Sequence, residues 1–127
     1  MKSRKGFRKD LGFNCDSKAE ANVARILKHL NIEFQPYSKS KKRIYIGDKG
    51  FRDRNDKHLL KEMRPDFYLP KENTYIEVKG GWGSFTPNDR YRLIGTLMKE
   101  DVRIVEICGV IYGILEKAFK KEIPEWE

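Results

Sequence analysis

The sequence predicts an α/β domain, because helical and extended patterns alternate along one chain of 127 residues. Three observations carry this prediction. A helical pattern of apolar residues covers residues 16–30, two short strands joined by a tight turn occupy residues 64–80, and an apolar strand pattern covers residues 102–107. No internal repeat or low-complexity block divides the chain. We therefore expect a single domain, residues 1–127, that begins with a basic N-terminal arm, residues 1–13.

Composition limits the classes of binding partner and the cellular compartment that we expect for this protein. The net charge is +8 and the pI about 9.5, which favours a polyanionic partner, nucleic acid before membrane. The two cysteines lack metal-ligand spacing and are too few for a disulfide scaffold, which indicates a reducing compartment. The longest apolar run, residues 110–115, is too short to span a bilayer, and no signal peptide is recognisable. We expect a soluble cytoplasmic protein without a membrane partner.

The N-terminal arm is rich in Lys, Arg and Gly and has no hydrophobic period. It is most simply a mobile arm, either a disordered terminus kept soluble by its charge or a tail that binds phosphates, and the sequence leaves both open. If the second holds, the DNA-binding candidates in the arm are Lys5, Arg8 and Lys9.

The first helix should begin at Asp16 or Ser17 and end near Leu30, since its apolar residues recur at i, i+3, i+4 and i+7. Ser17 and Glu20 have the spacing of a capping box, in which the glutamate reaches back to the N-cap amide. Yet Glu20 also lies on the buried side, where an ionised carboxylate without a partner is costly. Either the first turn protrudes from the core, or Glu20 faces a cation together with Asp66 and Glu77, and the second alternative is favoured by the family resemblance given below.

A half-buried strand is expected over residues 32–37, followed by a long polar stretch over residues 38–64. That stretch has ten Lys or Arg residues against four Asp or Glu residues. It is either a solvated loop or a basic flap that follows a DNA backbone. The phosphate-contact candidates in it are Lys41, Lys42, Arg43, Arg52 and Arg54.

The hairpin at residues 64–80 carries the ionisable groups of greatest interest. Asp66 enters its first strand, and in its second strand Glu77 and Lys79 alternate with β-branched residues, so they share one face. Antiparallel pairing would bring Asp66 beside that face. Mg²⁺ takes oxygen ligands and usually only one or two carboxylates, and Asp66 and Glu77 meet that count. Lys79 could orient or help deprotonate a water molecule next to a phosphate. The alternative is a cross-strand charge pair on a solvated face.

Beyond the hairpin, Gly80 to Gly83 predict a loop, and Thr86 with Pro87 predicts the start of a second helix. In that helix Arg90 is either a phosphate contact or a solvated side chain. The strand at residues 102–107 is apolar on both faces, which predicts burial within the sheet. A last helix is expected over residues 110–120.

In this order, the motifs resemble the PD-(D/E)XK nuclease superfamily, and within it the phage endonuclease I type of Holliday-junction resolvase. The resemblance covers roughly two thirds of the chain and rests on short motifs, namely SKAE at 17–20, RPDFYLP at 64–70, YIEVKG at 75–80, Trp82, DR at 89–90 and VRIVEI at 102–107. It implies a restriction-endonuclease-like core with a mixed central sheet flanked by helices. The stretch between residues 37 and 64 is longer than in that type, GWGSFTPN is inserted after Lys79, and the basic C-terminal extension is missing.

The resemblance also implies roles for individual residues. Asp66 and Glu77 would be metal ligands, the backbone carbonyl of Val78 a third ligand, and Glu20 a ligand of, or bridge to, a second ion. Lys79 would serve the nucleophilic water. One or two Mg²⁺ ions are expected, with Mn²⁺ as a substitute, and cleavage would leave a 5′-phosphate. Members of this type act as homodimers.

The expectation is thus a Mg²⁺-dependent DNA endonuclease that acts on branched DNA in recombination, encoded by a phage and active in the host cytoplasm. Two alternatives stay open. One is a sequence- or mismatch-directed nicking or homing endonuclease of the same fold, which would act on duplex DNA. The other is a basic DNA-binding protein without catalytic activity.

Overall fold

The computed structural model describes residues 5–36, 44–45, 62–63, 65–79 and 103–127. Two helices and eight strands lie in these residues. In chain order they are β1 (Gly6–Arg8), β2 (Phe13–Cys15), α1 (Lys18–His29), β3 (Gln35–Pro36), β4 (Ile44–Tyr45), β5 (Glu62–Met63), β6 (Phe67–Leu69), β7 (Thr74–Val78), β8 (Arg103–Ile107) and α2 (Gly109–Phe119).

The largest sheet in the described part of the chain has four strands in the order β3-β6-β7-β8. β6 pairs antiparallel with both β3 and β7, whereas β7 and β8 are parallel. The sheet is therefore mixed, and together with the two helices it confirms the predicted α/β class. Two further pairs, β1 with β2 and β4 with β5, are antiparallel.

The predicted hairpin is confirmed as β6 and β7, and residue pairs on both faces of the sheet define the register of the two strands. Phe67 lies opposite Ile76, and Tyr68 lies opposite Tyr75 with ring centroids 4.6 Å apart. The turn between the strands contains Asn73 at φ 49°, a left-handed conformation that Asn tolerates better than most residues. This register sets where the charged side chains of the hairpin can lie.

α1 packs on one face of this sheet and forms the core with it. The helix contributes small and branched residues, and the strands contribute aromatic and aliphatic ones. The buried cluster contains Phe13, Cys15, Ala21, Val23, Ala24, Leu27, Phe67, Leu69, Ile76 and Ile107. Because these residues lie on both sides of the α1–sheet contact, packing fixes the rotation of α1 and hence the direction of its first turn.

The bounds of α1 agree with the prediction. Ser17 is the N-cap, and its hydroxyl accepts the Glu20 N–H at 3.0 Å. The helix stops before Asn31, which has φ 56°. α2 likewise agrees with the predicted last helix, while the predicted strand at 32–37 is reduced to β3 within the described residues.

The N-terminal segment differs from the predicted mobile arm. Residues 6–15 contain the β1–β2 pair, and Arg8 is only 6% exposed. Its guanidinium donates to both carboxylate oxygens of Glu127, with Nε–Oε2 at 2.8 Å and Nη2–Oε1 at 3.0 Å. The partner lies 119 residues away, so the local sequence could not indicate this pairing.

The prediction that β8 is buried on both faces was wrong. Val105 in β8 is 46% exposed. Among the described strands β8 pairs only with β7, so it is the last strand in the described part of the sheet. The helix predicted from Thr86, which includes Arg90, lies outside the described residues. No helix in the described part of the chain has both the length and the apolar character needed to cross a membrane.

Candidate active site

The hairpin places Asp66 beside Glu77. Extending the β6–β7 register by one residue sets the two opposite each other. Asp66 is held at both its backbone and its side chain, since its N–H donates to the Ile76 carbonyl at 2.9 Å and its Oδ2 accepts the Val78 N–H at 2.7 Å. The carboxylate position is thus fixed by the backbone of the neighbouring strand.

α1 brings Glu20 to the same place. The carboxyl groups of Glu20 and Asp66 are hydrogen-bonded to each other. Glu20 Oε2 also accepts the Asp16 N–H at 3.1 Å, while the Glu20 N–H donates to Ser17 Oγ. The two interpretations of Glu20 are therefore compatible, since it takes part in capping α1 and also faces Asp66.

The electrostatics of the cluster follow from its burial. Burial, together with the neighbouring charge of Glu77 and against the hydrogen bond from Glu20, raises the pKa of Asp66 to about 7. Burial likewise raises the pKa of Glu20 to about 8, helped by the hydrogen bond and the charge of Asp66. Carboxyl groups this close together and this buried resist being ionised at the same time. The cluster thus favours an added positive charge.

Lys79 follows Glu77 on the same strand. Its N–H donates to the Ile107 carbonyl at 2.8 Å, so pairing with β8 extends past the end of β7 and fixes the Lys79 backbone. By the two-residue alternation of a strand, Lys79 and Glu77 share one face. Lys79 is half-buried. An ammonium group is therefore held on the side of the hairpin that carries the carboxylates.

The donor types suit a hard divalent cation. Such ions take carboxylate and carbonyl oxygens, and Mg²⁺ needs only one or two carboxylates. Val78 adds a carbonyl, because the N–H and C=O of one strand residue point to the same side and its N–H already binds Asp66. Within residues 5–36, 65–79 and 103–127, however, no three His, Cys, Asp or Glu side chains stand ready-made as a metal-binding group.

The structure divides the predicted DNA-binding residues into three groups. Lys5 and Lys9 are exposed on either side of β1. Arg8 is buried against Glu127, so it is placed as a structural residue rather than as a phosphate contact. The others, Lys41, Lys42, Arg43, Arg52, Arg54 and Arg90, lie outside the described residues.

Sequence reasoning missed one exposed aromatic residue near the site. Phe7 in β1 is 63% exposed and lies opposite Asn14 in β2. The signal was present, because in the segment KGFRK the residues Lys5, Phe7 and Lys9 share one face of an extended chain. Treating the segment as a mobile arm hid that alternation.

Comparison with known proteins gives no relative whose site could guide the interpretation of this one. No protein-family model, no curated protein and no solved structure matches this chain. The chemistry of the site is therefore argued from its own side chains: three coupled carboxyls and a lysine, brought together by α1 and the β6–β7 hairpin.

Proposed function

We propose that this protein is a metal-dependent endodeoxyribonuclease that hydrolyses phosphodiester bonds in branched DNA. The observation that carries the proposal is the coupling of Glu20, Asp66 and Glu77, three carboxyls from two distant segments. Lys79 lies two residues after Glu77, on the same face of the chain. A chain of net charge +8 also suits a polyanionic substrate. The proposal includes a restriction-endonuclease-like arrangement of the α/β core.

Each residue has a definite part in the proposed reaction. Asp66, Glu77 and the Val78 carbonyl would hold Mg²⁺, and Glu20 would contact the same ion or a second one. The bound cation would stabilise the negative charge that develops on the phosphate oxygens. The Lys79 ammonium would orient the attacking water and offset charge on the phosphate. Hydrolysis would leave a 5′-phosphate and a 3′-hydroxyl.

Substitution separates this enzyme from a basic protein that only binds DNA. We expect Asp66→Ala and Lys79→Ala each to lower the cleavage rate by at least about 100-fold, because each removes a group that acts on the reacting phosphate. DNA binding, measured in EDTA by fluorescence anisotropy, should persist. EDTA should also abolish cleavage by the unmodified protein, and Mn²⁺ should restore it.

The matched controls are Glu72→Ala and Lys71→Ala, which change exposed residues in the turn of the same hairpin. They should cleave at the normal rate. If Asp66→Ala and Lys79→Ala also cleave normally, the assignment of the site is refuted. If the unmodified protein binds DNA tightly and never cleaves with Mg²⁺ or Mn²⁺, it is a binding protein.

The substrate is tested by offering equal amounts of a four-way junction, a linear duplex, a mismatched duplex and single strands with Mg²⁺. Preferential cleavage of the junction is the expected result. Preference for a duplex of one sequence, or for a mismatch, would instead support a nicking or homing endonuclease.

The proposal also includes a homodimer, because a four-way junction presents two symmetric strands for cleavage. Apolar side chains exposed on α2, among them Val110 at 69% and Ile114, are compatible with a partner surface there. Light scattering across a range of concentrations should give twice the mass of one chain. Ile114→Asp should reduce that mass, whereas Ala118→Asp on the same helix tests whether any new charge has this effect.

A further inference from the structure

The β1–β2 pair presents one polar face to solvent and buries the other. Arg8, Phe13 and Cys15 are buried, whereas Lys5, Phe7, Lys9 and Asn14 are exposed. This division follows the two-residue alternation of strands. The exposed face therefore consists of a phenyl ring with a lysine on either side and an amide opposite the ring.

This face is held rigidly, although it lies near the start of the chain. Arg8 points inward to Glu127, and its Nη1 donates to the Gly6 carbonyl at 2.7 Å. Glu127 is bound in turn by Arg25 of α1 at 2.9 Å. The Arg8 side chain is thus an anchor. Through Glu127 it fixes β1 to α1, the helix that carries Glu20.

The face is also close to the carboxyl cluster. Asn14, opposite Phe7, is two residues before Asp16, roughly 7 Å along an extended chain. The Asp16 N–H is the group that donates to Glu20 Oε2. A strand of DNA cleaved at the carboxyls would therefore pass within reach of Phe7.

We propose that the face formed by Lys5, Phe7, Lys9 and Asn14 binds a single strand of the substrate, with the Phe7 ring stacking on a base that has left the duplex stack. This inference rests on the proposed function for the identity of the partner as DNA. Aromatic rings that stack on bases, next to cations that follow the backbone, are the usual means by which proteins hold single strands.

The charge pattern favours this partner over an apolar protein surface. A lone exposed aromatic residue needs no explanation, but this one has an exposed lysine two residues before it and another two residues after it. The neighbouring Asp10 is engaged by Arg25, with Nε–Oδ2 at 2.8 Å. Asp16 lies at the other end of the face, where the carboxyl cluster begins.

The test measures binding of the full chain in EDTA to two DNAs of equal length, a continuous duplex and a duplex with a splayed single-stranded arm that contains 2-aminopurine. Phe7→Ala should weaken binding to the splayed DNA by about 5- to 150-fold, the range for loss of one stacked base. It should leave duplex binding nearly unchanged. The quenching of 2-aminopurine fluorescence by the unmodified protein should be lost.

Further variants separate stacking from apolar packing and from charge. Phe7→Trp should retain binding and quenching, whereas Phe7→Leu should behave like Phe7→Ala although its apolar volume is similar. Lys5→Ala and Lys9→Ala should each weaken binding to both DNAs. Each should also reduce the slope of the logarithm of the binding constant against the logarithm of the salt concentration by about one. Leu30→Ala, at an exposed apolar residue at the end of α1, is the matched control and should change nothing.

Equal binding of splayed DNA by Phe7→Ala and the unmodified protein would overturn the inference. So would a fall in the mass of the protein in solution on Phe7→Ala, because it would make the ring part of a protein–protein contact. Neither result bears on Asp66→Ala, which tests the nuclease assignment by cleavage. Conversely, loss of stacking in a protein that never cleaves DNA would support the inference and refute the nuclease.

Discussion

Glu20 shows how far a single residue can be understood from sequence. The spacing from Ser17 predicted a capping box, and the buried position with the family resemblance favoured a cluster with Asp66. In the structure the Ser17 hydroxyl accepts the Glu20 N–H as predicted, whereas the Glu20 carboxylate accepts the N–H of Asp16, one residue before the N-cap. Glu20 also interacts with Asp66. The raised pKa values could not be predicted, because they depend on the burial that results when the hairpin and α1 pack together.

These raised values predict how stability depends on pH in the absence of divalent cations. In the unfolded chain both carboxyls titrate near pH 4, at about their usual pKa values. In the folded protein Asp66 keeps its proton up to about pH 7 and Glu20 up to about pH 8. Between about pH 4 and pH 8 the folded state binds more protons than the unfolded state. The free energy of unfolding therefore falls as pH rises over this range.

Urea denaturation at intervals between about pH 5 and pH 8 should show this fall. Glu20→Gln removes one titrating group and should make the fall shallower. Glu33→Gln, at an exposed carboxyl, should leave it unchanged. A slope that Glu20→Gln does not alter would show that Glu20 titrates normally in the folded protein.

At the scale of elements, local signals were sufficient for α1, the hairpin and α2. Caps, periodicity and turn residues act over a few positions, and they located these elements within one or two residues. Two predictions failed for a common reason. The position of β8 as the last described strand depends on strand order, and the pairing of Arg8 depends on Glu127, so both are set by contacts between distant segments.

The N-cap of α1 gives a prediction at this scale. Ser17→Ala removes the acceptor of the Glu20 N–H and should lower the free energy of unfolding by about 1 kcal/mol. Ser17→Thr keeps a hydroxyl and should recover most of this loss. The measurement is urea denaturation with an unchanged m-value. Lys18→Ala, at the exposed first residue of α1, is the control, and an equal loss there would exclude the cap as the cause.

Across the whole molecule, one polar network connects the two ends of the described chain. Glu127 accepts from Arg8 and Arg25, its N–H donates to Asn22 Oδ1 at 3.1 Å, and Asn22 Nδ2 donates to the Tyr112 hydroxyl at 2.8 Å. Asn22 is fully buried. The network therefore joins β1, α1 and α2 and satisfies polar groups that would otherwise be buried at a cost.

Loss of this network should be measurable. Glu127→Ala leaves Arg8 and Arg25 without one carboxylate and should lower the free energy of unfolding by about 2 kcal/mol, the usual cost for hydrogen bonds to charged groups. Glu125→Ala, at an exposed carboxyl nearby, should have almost no effect. Thermal or urea denaturation of the two variants distinguishes a specific contact from a general effect of charge.

The two cysteines of the chain differ in a way that is useful for spectroscopy. Cys15 lies in the core with no exposed surface, and burial raises the pKa of its thiol to about 12, so it is a poor target for maleimides. Cys108 is partly exposed at the start of α2, directly after Ile107, whose carbonyl accepts the Lys79 N–H. A fluorophore or spin label should therefore attach to the native protein at one position without mutagenesis. It would sit beside the strand that carries the lysine and report on that strand when an ion or a DNA is added.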